Sequence, residues 1–165
     1  MINTKETYIK SLNLSPHPEG GFFREVYRSS MVCDKQCLPH EFDSERTFST
    51  AIYYMLTKSD ISKFHRIKSD ELWHHYDGAC FFIHIIHPSG KYECKKLGKL
   101  ENDAHPLAVV PANCWFAAEI EKDKDYGLVG CTVSPGFDFK DFEMGNRKTL
   151  LSEYENLRDI INVFT

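Results

Sequence analysis

The stretch FHRIKSDELWHHYDG at residues 64–78 is the most informative part of the sequence. Three of its fifteen residues are histidine, and it ends in an Asp-Gly pair of the kind that forms tight turns between antiparallel strands. Because side chains alternate between the two faces of a strand, a strand here puts Glu71, Trp73 and His75 on one side. The stretch therefore predicts a hairpin whose first strand presents a carboxylate, an indole and an imidazole together.

Strand-like runs continue on both sides of this hairpin, and turn-forming residues separate most of them. The predicted strands are 22–28, 48–56, 64–67, 71–76, 80–87, 92–97, 107–110, 114–120 and 126–133. Many short strands at such spacing are typical of an antiparallel sandwich or barrel, and the double-sheet jelly roll is one standard form. The composition of the strands thus predicts an all-β protein.

Both ends of the chain have helical periodicity. Residues 3–13 are predicted to form a short helix that Asn3 caps and that carries one apolar stripe. From Thr149 onward, Leu150, Ile161 and other apolar residues recur at helical spacing between charged residues. This pattern predicts a C-terminal amphipathic helix that packs against the sheet or against a partner subunit.

The segment 16–21, PHPEGG, is predicted to be a shaped loop. Its two prolines remove backbone donors and its paired glycines allow backbone angles that other residues avoid. We interpret His17, which lies next to a proline, as a loop residue. In the strand that follows, Arg24 shares a face with apolar side chains, so it either anchors an anionic ligand, forms a structural ion pair or is exposed.

Length and charge limit the classes of function. A chain of 165 residues is long enough to bury roughly two-thirds of its unfolded surface, and we expect a single domain over residues 1–165. The net charge is −4, and no dense basic run indicates binding to nucleic acid or to an anionic membrane surface. Six cysteines, four of them in apolar strand-like runs, are interpreted as reduced thiols in a cytoplasmic protein.

The spacing of the polar residues resembles the two motifs of the cupin superfamily. From His65, the distances to Glu71 and Gly78 match the first motif: His-x-His, three or four residues, Glu, six residues, Gly. The second motif, Pro-x-Gly-x-x-His, resembles PANCWF at residues 111–116. This resemblance implies an antiparallel double-stranded β-helix, the cupin jelly roll, around a pocket for a small molecule.

A narrower resemblance covers nearly the whole chain. Five blocks are similar, in order and spacing, to a family of single-domain cupins without an assigned activity that resemble the RmlC sugar epimerases. The blocks are SPHPEGGFFREVYRSS at 15–30, STAIYYML at 49–56, FHRIKSDELWHHY at 64–76, VVPANCW at 109–115 and GCTVSPGFDFKDFEMGNR at 130–147. The resemblance implies a homodimer, and it implies epimerase or isomerase chemistry on a carbohydrate or nucleotide-sugar ligand.

The resemblance also implies four metal-ligand positions, of which this chain keeps two. His65 and Glu71 carry over, whereas Ile67 and Phe116 stand where the other two histidines would be. His75 shares the face of Glu71 and could complete a weak site for a divalent iron, manganese or nickel ion. The first alternative is therefore a metal-dependent cupin, such as a dioxygenase or a metal isomerase, with a weakly held cation as its cofactor.

The second alternative needs no metal. His65 and Glu71 would form an imidazole–carboxylate pair in which the carboxylate raises the basicity of the ring, as a general base requires. A tyrosine would act as the opposing acid, and the candidates in the strands are Tyr53, Tyr54, Tyr76 and Tyr126. Such a site could move a proton on and off a carbon next to a carbonyl.

The third alternative is a pocket that binds a metabolite without catalysis. Aromatic side chains, among them Tyr53, Trp73 and Phe116, would line it, with His65 and Glu71 as hydrogen-bonding anchors. Arg24 and His75 are further candidates for ligand contact. The three alternatives differ in whether they require a bound metal, proton exchange with solvent, or neither.

Overall fold

The computed structural model describes residues 4–165. Its strands are β1 (Ser15–Pro16), β2 (Phe22–Arg28), β3 (Val32–Cys33), β4 (Arg46–Thr47), β5 (Thr50–Thr57), β6 (Ser62–Arg66), β7 (Asp70–Gly78), β8 (Phe81–Ile86), β9 (Tyr92–Leu97), β10 (Leu107–Val110), β11 (Trp115–Ile120), β12 (Tyr126–Ser134) and β13 (Glu143–Met144). The α-helices are α1 (Lys5–Ser11), α2 (Arg147–Glu153) and α3 (Arg158–Val163). Short 3₁₀ helices occupy Lys35–Cys37, Phe139–Asp141 and Glu155–Leu157.

The strands form two main sheets that pack face to face. One sheet has the order β1-β2-β5-β12-β7-β10 and the other β13-β6-β11-β8-β9, and their strand pairs are antiparallel. Buried side chains of both sheets, such as Trp73 and Val129 from the first and Phe81 and Phe116 from the second, form one core between them. The predicted antiparallel jelly roll is confirmed.

The predicted strand boundaries agree closely with the structure. Phe22–Arg28, Tyr92–Leu97 and Leu107–Val110 have the predicted bounds, and the other predicted strands shift by no more than two residues at either end. The two-residue strands β1, β3, β4 and β13 were not predicted, because two residues are too few to show an alternation.

The N-terminal helix packs on the outer face of the first sheet. Tyr8, Ile9 and Leu12 contact a small cluster around Met55 and Leu128. The helix begins after Thr4, whose side chain accepts a hydrogen bond from the backbone N–H of Thr7. Asn3, the predicted cap, lies outside the described residues.

The C-terminal segment packs on the outer face of the second sheet. Leu150, Ile161 and Phe164 are fully buried and contact Trp115 and its neighbours. The predicted single helix is divided into α2 and α3, because Tyr154 has the non-helical angles φ −131° and ψ 58°. Among residues 4–165, no helix has the length and apolar character needed to cross a bilayer.

The 16–21 loop is fixed to the start of β6 by backbone contacts. Gly20 has a φ of +118°, and a Cβ at this position would overlap the carbonyl oxygen of Ile61. The Glu19 carbonyl accepts a hydrogen bond from the backbone N–H of Lys63 at 2.9 Å. These contacts direct the side chain of Glu19 between the two sheets.

Candidate functional site

A small pocket with a cavity volume of about 50 Å³ opens between the two sheets. Its walls come from the 16–21 loop, from strands of both sheets and from the segment after β12. The lining residues are His17, Glu19, Phe23, Thr50, Ile52, Tyr54, His65, Ile67, Glu71, Cys131, Val133, Phe137 and Phe142. The structure therefore brings His65 and Glu71, the two predicted catalytic residues, into one pocket.

His65 pairs with Glu19 in this pocket. Nε2 of His65 lies 2.9 Å from Oε2 of Glu19, and Nδ1 lies 2.7 Å from the carbonyl oxygen of Lys63. Ser62 donates a further hydrogen bond to Oε1 of Glu19 at 3.0 Å. Because a carbonyl oxygen and a carboxylate only accept hydrogen bonds, both ring nitrogens of His65 carry protons and the ring is an imidazolium.

The pKa shifts of the pair follow from the same contacts. Burial alone lowers the pKa of His65, but the charge and hydrogen bond of Glu19 and the Lys63 carbonyl raise it above its ordinary value. Burial alone raises the pKa of Glu19, but the charge and hydrogen bond of His65 lower it below its ordinary value. The buried pair is thus ionised on both sides.

His17 is the second imidazole of the pocket and stays neutral. Its Nδ1 accepts a hydrogen bond from the backbone N–H of Glu19 at 3.3 Å, so the other nitrogen carries the ring proton. Burial lowers the pKa of His17, and the nearby charges of Glu19 and His65 have smaller, opposing effects. The ring packs edge-on against Phe23, with 4.5 Å between the centroids.

Glu71 is a buried carboxyl group of the pocket whose pKa lies near neutrality. Its side chain comes from β7 and only 8% of the residue is exposed. Burial raises its pKa to about 7, while the charge of His65 lowers it and that of Glu19 raises it. No ion pair joins Glu71 to His65, so the predicted imidazole–carboxylate pair forms between His65 and Glu19 instead.

Tyr54 is the tyrosine that faces the pocket. Of the four candidates, it alone belongs to the lining residues, and its hydroxyl donates to the Gly20 carbonyl at 2.8 Å. Burial raises its pKa well above the ordinary value, so the hydroxyl keeps its proton. Tyr53 points to the outer face of the sheet, where its ring lies 6.0 Å from that of Tyr76. Tyr126 donates its hydroxyl to Asp77 at 2.9 Å.

Trp73 and Phe116 form the core behind the pocket. The Phe116 ring packs against His65 at an interplanar angle of 58°, with 4.0 Å between centroids, and the Trp73 ring lies 5.6 Å from that of Tyr54. The indole N–H of Trp73 has no hydrogen-bond partner among the described residues; it lies near Glu71 and lowers its pKa slightly, without hydrogen-bonding geometry. Both aromatic residues therefore shape the pocket from behind its lining.

His75 and Arg24 are not brought into this pocket. His75 follows Glu71 by four residues along β7, which is about 13 Å in a strand, and its Nε2 lies 3.1 Å from the carbonyl oxygen of Ala79. Arg24 is exposed on β2 and donates to the Leu12 carbonyl at 3.2 Å, which ties the strand to the N-terminal helix. His75 shares a face of β7 with Glu71 but does not reach the pocket, because the distance along the strand separates the two side chains.

The ligand positions of the cupin motif do not assemble a metal site. Ile67 and Phe116 offer no lone pairs, and both ring nitrogens of His65 are engaged by protein acceptors. Within residues 4–165, no cluster of three or more His, Cys, Asp or Glu side chains has the arrangement of a metal site. The predicted set of His65, Glu71 and His75 is not assembled.

Comparison with known proteins identifies the family. The family model described as "Cupin superfamily (DUF985)" matches residues 6–145. The chain belongs to this cupin family. Two solved structures are similar to this cupin over almost their whole length: a protein from Shewanella oneidensis (33% identity, TM-score 0.89, 99% of this chain and 98% of that chain) and a hypothetical protein from Leishmania major (32% identity, TM-score 0.90, 99% of each chain).

A more distant likeness concerns the fold alone. Oxalate decarboxylase from Bacillus subtilis superposes on this cupin with a TM-score of 0.56 and 13% identity, over 91% of this chain and 36% of that chain. No curated protein sequence matches this cupin significantly. The comparisons thus establish the family and the jelly roll.

The sequence interpretation missed Glu19 as a site residue of this cupin. Glu19 and His17 were read as parts of a loop, yet both line the pocket and Glu19 carries the negative charge next to His65. A sequence pattern that could have indicated their role is the position of an imidazole and a carboxylate among two prolines and two glycines in the 16–21 loop. Such a loop fixes its backbone, and a fixed backbone can hold a charged side chain in a buried position.

Proposed function

We propose that this cupin binds a small carbonyl compound and moves a proton on the carbon next to the carbonyl, in the manner of an isomerase or epimerase. The observation that carries the proposal is the carboxyl of Glu71, which is buried in the pocket with a pKa of about 7. A general acid–base works best when its pKa lies near the working pH, since both protonation states are then available. Glu71 takes the role of the base that the sequence had suggested for His65.

His65 supplies charge to the reaction. Its two N–H groups are engaged by Glu19 and by the Lys63 carbonyl, so it has no free lone pair to accept a proton. The imidazolium lines the same pocket as Glu71 and favours the negative charge that develops on the carbonyl oxygen when the neighbouring carbon loses its proton. Glu19 keeps the imidazolium protonated while the reaction proceeds.

The size of the pocket limits what enters it. A cavity volume of about 50 Å³ suits only a few heavy atoms, because a cavity that binds benzene measures about 150 Å³. Phe23, Phe137 and Phe142 give the pocket apolar walls that limit the access of water to Glu71. The reacting end of a carbohydrate-type ligand would enter, and the rest of the ligand would lie outside the pocket.

The test is solvent exchange of carbon-bound protons. A panel of aldoses, ketoses and 2-oxo acids is incubated with the protein in D₂O, and deuterium next to each carbonyl is followed by proton NMR. The wild type should exchange at least one member, and Glu71→Gln should lower that rate at least about 100-fold, the lower end of what a general base contributes.

Glu93→Gln is the matched control for this experiment. Glu93 is likewise a strand glutamate; its Oε1 lies 3.0 Å from Nε2 of His87, and neither residue lines the pocket. This variant should exchange protons at the wild-type rate. Equal rates in the wild type and in correctly folded Glu71→Gln would contradict the proposal and leave binding alone as the function of the pocket.

A further inference from the structure

We infer that the ligand of this cupin carries an anionic group, a phosphate or a carboxylate, and that this group binds in a second cavity beside the pocket. The inference rests on the proposed function for the position of the reacting end, and it names the chemical class of the rest of the ligand. The second cavity has a volume of about 380 Å³, whereas the pocket has a volume of about 50 Å³. Ile67 and Phe142 line both and form their common wall.

Three cations line the second cavity. Arg66, Lys68 and Lys140 contribute their side chains, and the carboxylates among the lining residues are those of Asp141 and Glu143. The three positive charges therefore exceed the two negative charges in the wall. A cavity with an excess of one sign of charge concentrates ligands of the opposite sign.

Protein partners already occupy both carboxylates. Asp141 is buried and accepts two hydrogen bonds from Arg46, at 2.6 and 2.7 Å, and a contact from Lys68 at 3.2 Å. Arg46 lies behind the wall and also pairs with Asp43 at 2.9 Å. Glu143 accepts from Nε and Nη2 of Arg66, both at 2.7 Å. The ion pairs largely cancel the repulsion by these carboxylates together with the attraction by Arg66 and Lys68, so Lys140 carries the unpaired positive charge of the wall.

Two groups in the wall keep their donors free for a ligand. The ammonium of Lys140 has no ion-pair partner among the described residues, and the amide of Asn113 makes no side-chain hydrogen bond within them. Lys140 and Asn113 are both exposed at the cavity, where an ammonium and an amide can donate to the oxygens of a phosphate or carboxylate.

The common wall lies where one ligand would extend from the pocket into the second cavity. Phe142 is only half-buried, and its ring packs 5.4 Å from that of His65 on one side while it lines the second cavity on the other. A ligand with its carbonyl at Glu71 and its anionic group near Lys140 would pass beside this ring. The apolar part between the two groups would contact Ile67 and Phe142.

The experiment uses ligands that cannot undergo the proposed reaction. Binding of hexyl phosphate, heptanoate, 1-hexanol and inorganic phosphate to the wild type is measured by calorimetric titration. Hexyl phosphate or heptanoate should bind at least about tenfold more tightly than 1-hexanol, and the tighter of the two identifies the anion. Inorganic phosphate should bind more weakly than hexyl phosphate, because it makes no apolar contact.

Variants of Lys140 locate the site. Lys140→Gln should weaken binding of the tighter anion about fivefold and Lys140→Glu more, while binding of 1-hexanol stays unchanged. Lys122→Gln is the matched control, since Lys122 is also exposed but lines a different cavity. Anions that bind no more tightly than 1-hexanol, or that bind equally to Lys140→Glu and the wild type, would overturn the inference. Because the probes have no exchangeable carbon-bound proton at issue, this result is independent of the Glu71 experiment.

Discussion

The carboxylate of Glu19 lies 2.9 Å from Nε2 of His65, and both side chains are more than nine-tenths buried. The contact joins the 16–21 loop to β6 and determines the electrostatics of the pocket. It holds His65 as an imidazolium, and it occupies the nitrogen that a metal ion would need. A single long-range ion pair thus places two opposite charges at the buried centre of the cupin pocket.

Glu19→Gln should destabilise the protein by about 3–5 kcal/mol, because it leaves a buried histidine without its charged partner. Stabilisation by Glu19 is lost as the pH falls below the ordinary carboxyl pKa of 4.5 and through its lowered value in the fold. Stabilisation by His65 is lost as the pH rises above the ordinary imidazole pKa of 6.5 and through its raised value. Urea unfolding should therefore show the largest difference from the wild type between these two pH values.

Ser62→Ala is the control for this prediction. It removes one hydrogen bond to Glu19 and keeps the ion pair, so it should cost only about 1 kcal/mol. A Glu19→Gln variant no less stable than Ser62→Ala would show that the pair does not stabilise the fold.

Glu71→Gln should remove a pH dependence of stability. The pKa of Glu71 is raised from 4.5 to about 7, so the wild type loses stability as the pH rises from 4.5 through 7. The full loss corresponds to about 3 kcal/mol above pH 7, and a neutral glutamine does not share it. The unfolding free energy of the variant, relative to that of the wild type, should be higher at pH 8 than at pH 5. An unchanged difference between the two pH values would mean that Glu71 titrates normally.

Gly20→Ala should destabilise the protein much more than Gly90→Ala. Both glycines have a positive φ, which costs an alanine about 1–2 kcal/mol. At Gly20 a Cβ would also overlap the Ile61 carbonyl and displace the loop that carries Glu19, whereas at Gly90 the nearest atom is 3.8 Å away. Thermal unfolding of both variants checks this, and equal melting temperatures would contradict it.

Tyr54→Phe should cost about 1 kcal/mol, because it removes the hydrogen bond to the Gly20 carbonyl and leaves that acceptor buried. Tyr53→Phe, on the neighbouring residue of the same strand, removes a hydroxyl that lies outside the pocket and should cost less. Urea unfolding of the two variants compares them directly. A larger loss in Tyr53→Phe would contradict the assignment of Tyr54 to the pocket.

Elemental analysis should find no stoichiometric transition metal in protein purified without chelator. The reason is that Ile67 and Phe116 provide no ligand atoms and that Glu19 and Lys63 engage both nitrogens of His65. Plasma mass spectrometry of the wild type and Glu71→Gln should give the same low metal content. One metal per chain that disappears in Glu71→Gln would show that the residues rearrange around an ion.

The strands were predictable from the residues alone, and the resemblance to cupins implied both the jelly roll and the shared motif of His65 and Glu71. Alternation along a strand and turn-forming residues are local properties, so they can be read without the fold. The C-terminal apolar stripe was equally readable, and Leu150, Ile161 and Phe164 are buried as it predicts. The break at Tyr154 was not readable, since it depends on how the two short helices fit the sheet.

Which residues meet depends on long-range packing. Residues 53 and 54 lie in a strand that is apolar on both faces, so alternation could not assign Tyr54 to the pocket and Tyr53 to the outside. His75 shares the face of Glu71, but the rise along β7 carries it away. The partner of His65 comes from a loop far away in sequence, and only the packing of that loop on β6 brings Glu19 to the imidazole. Strand periodicity determines the face of each side chain, whereas long-range packing determines its neighbours.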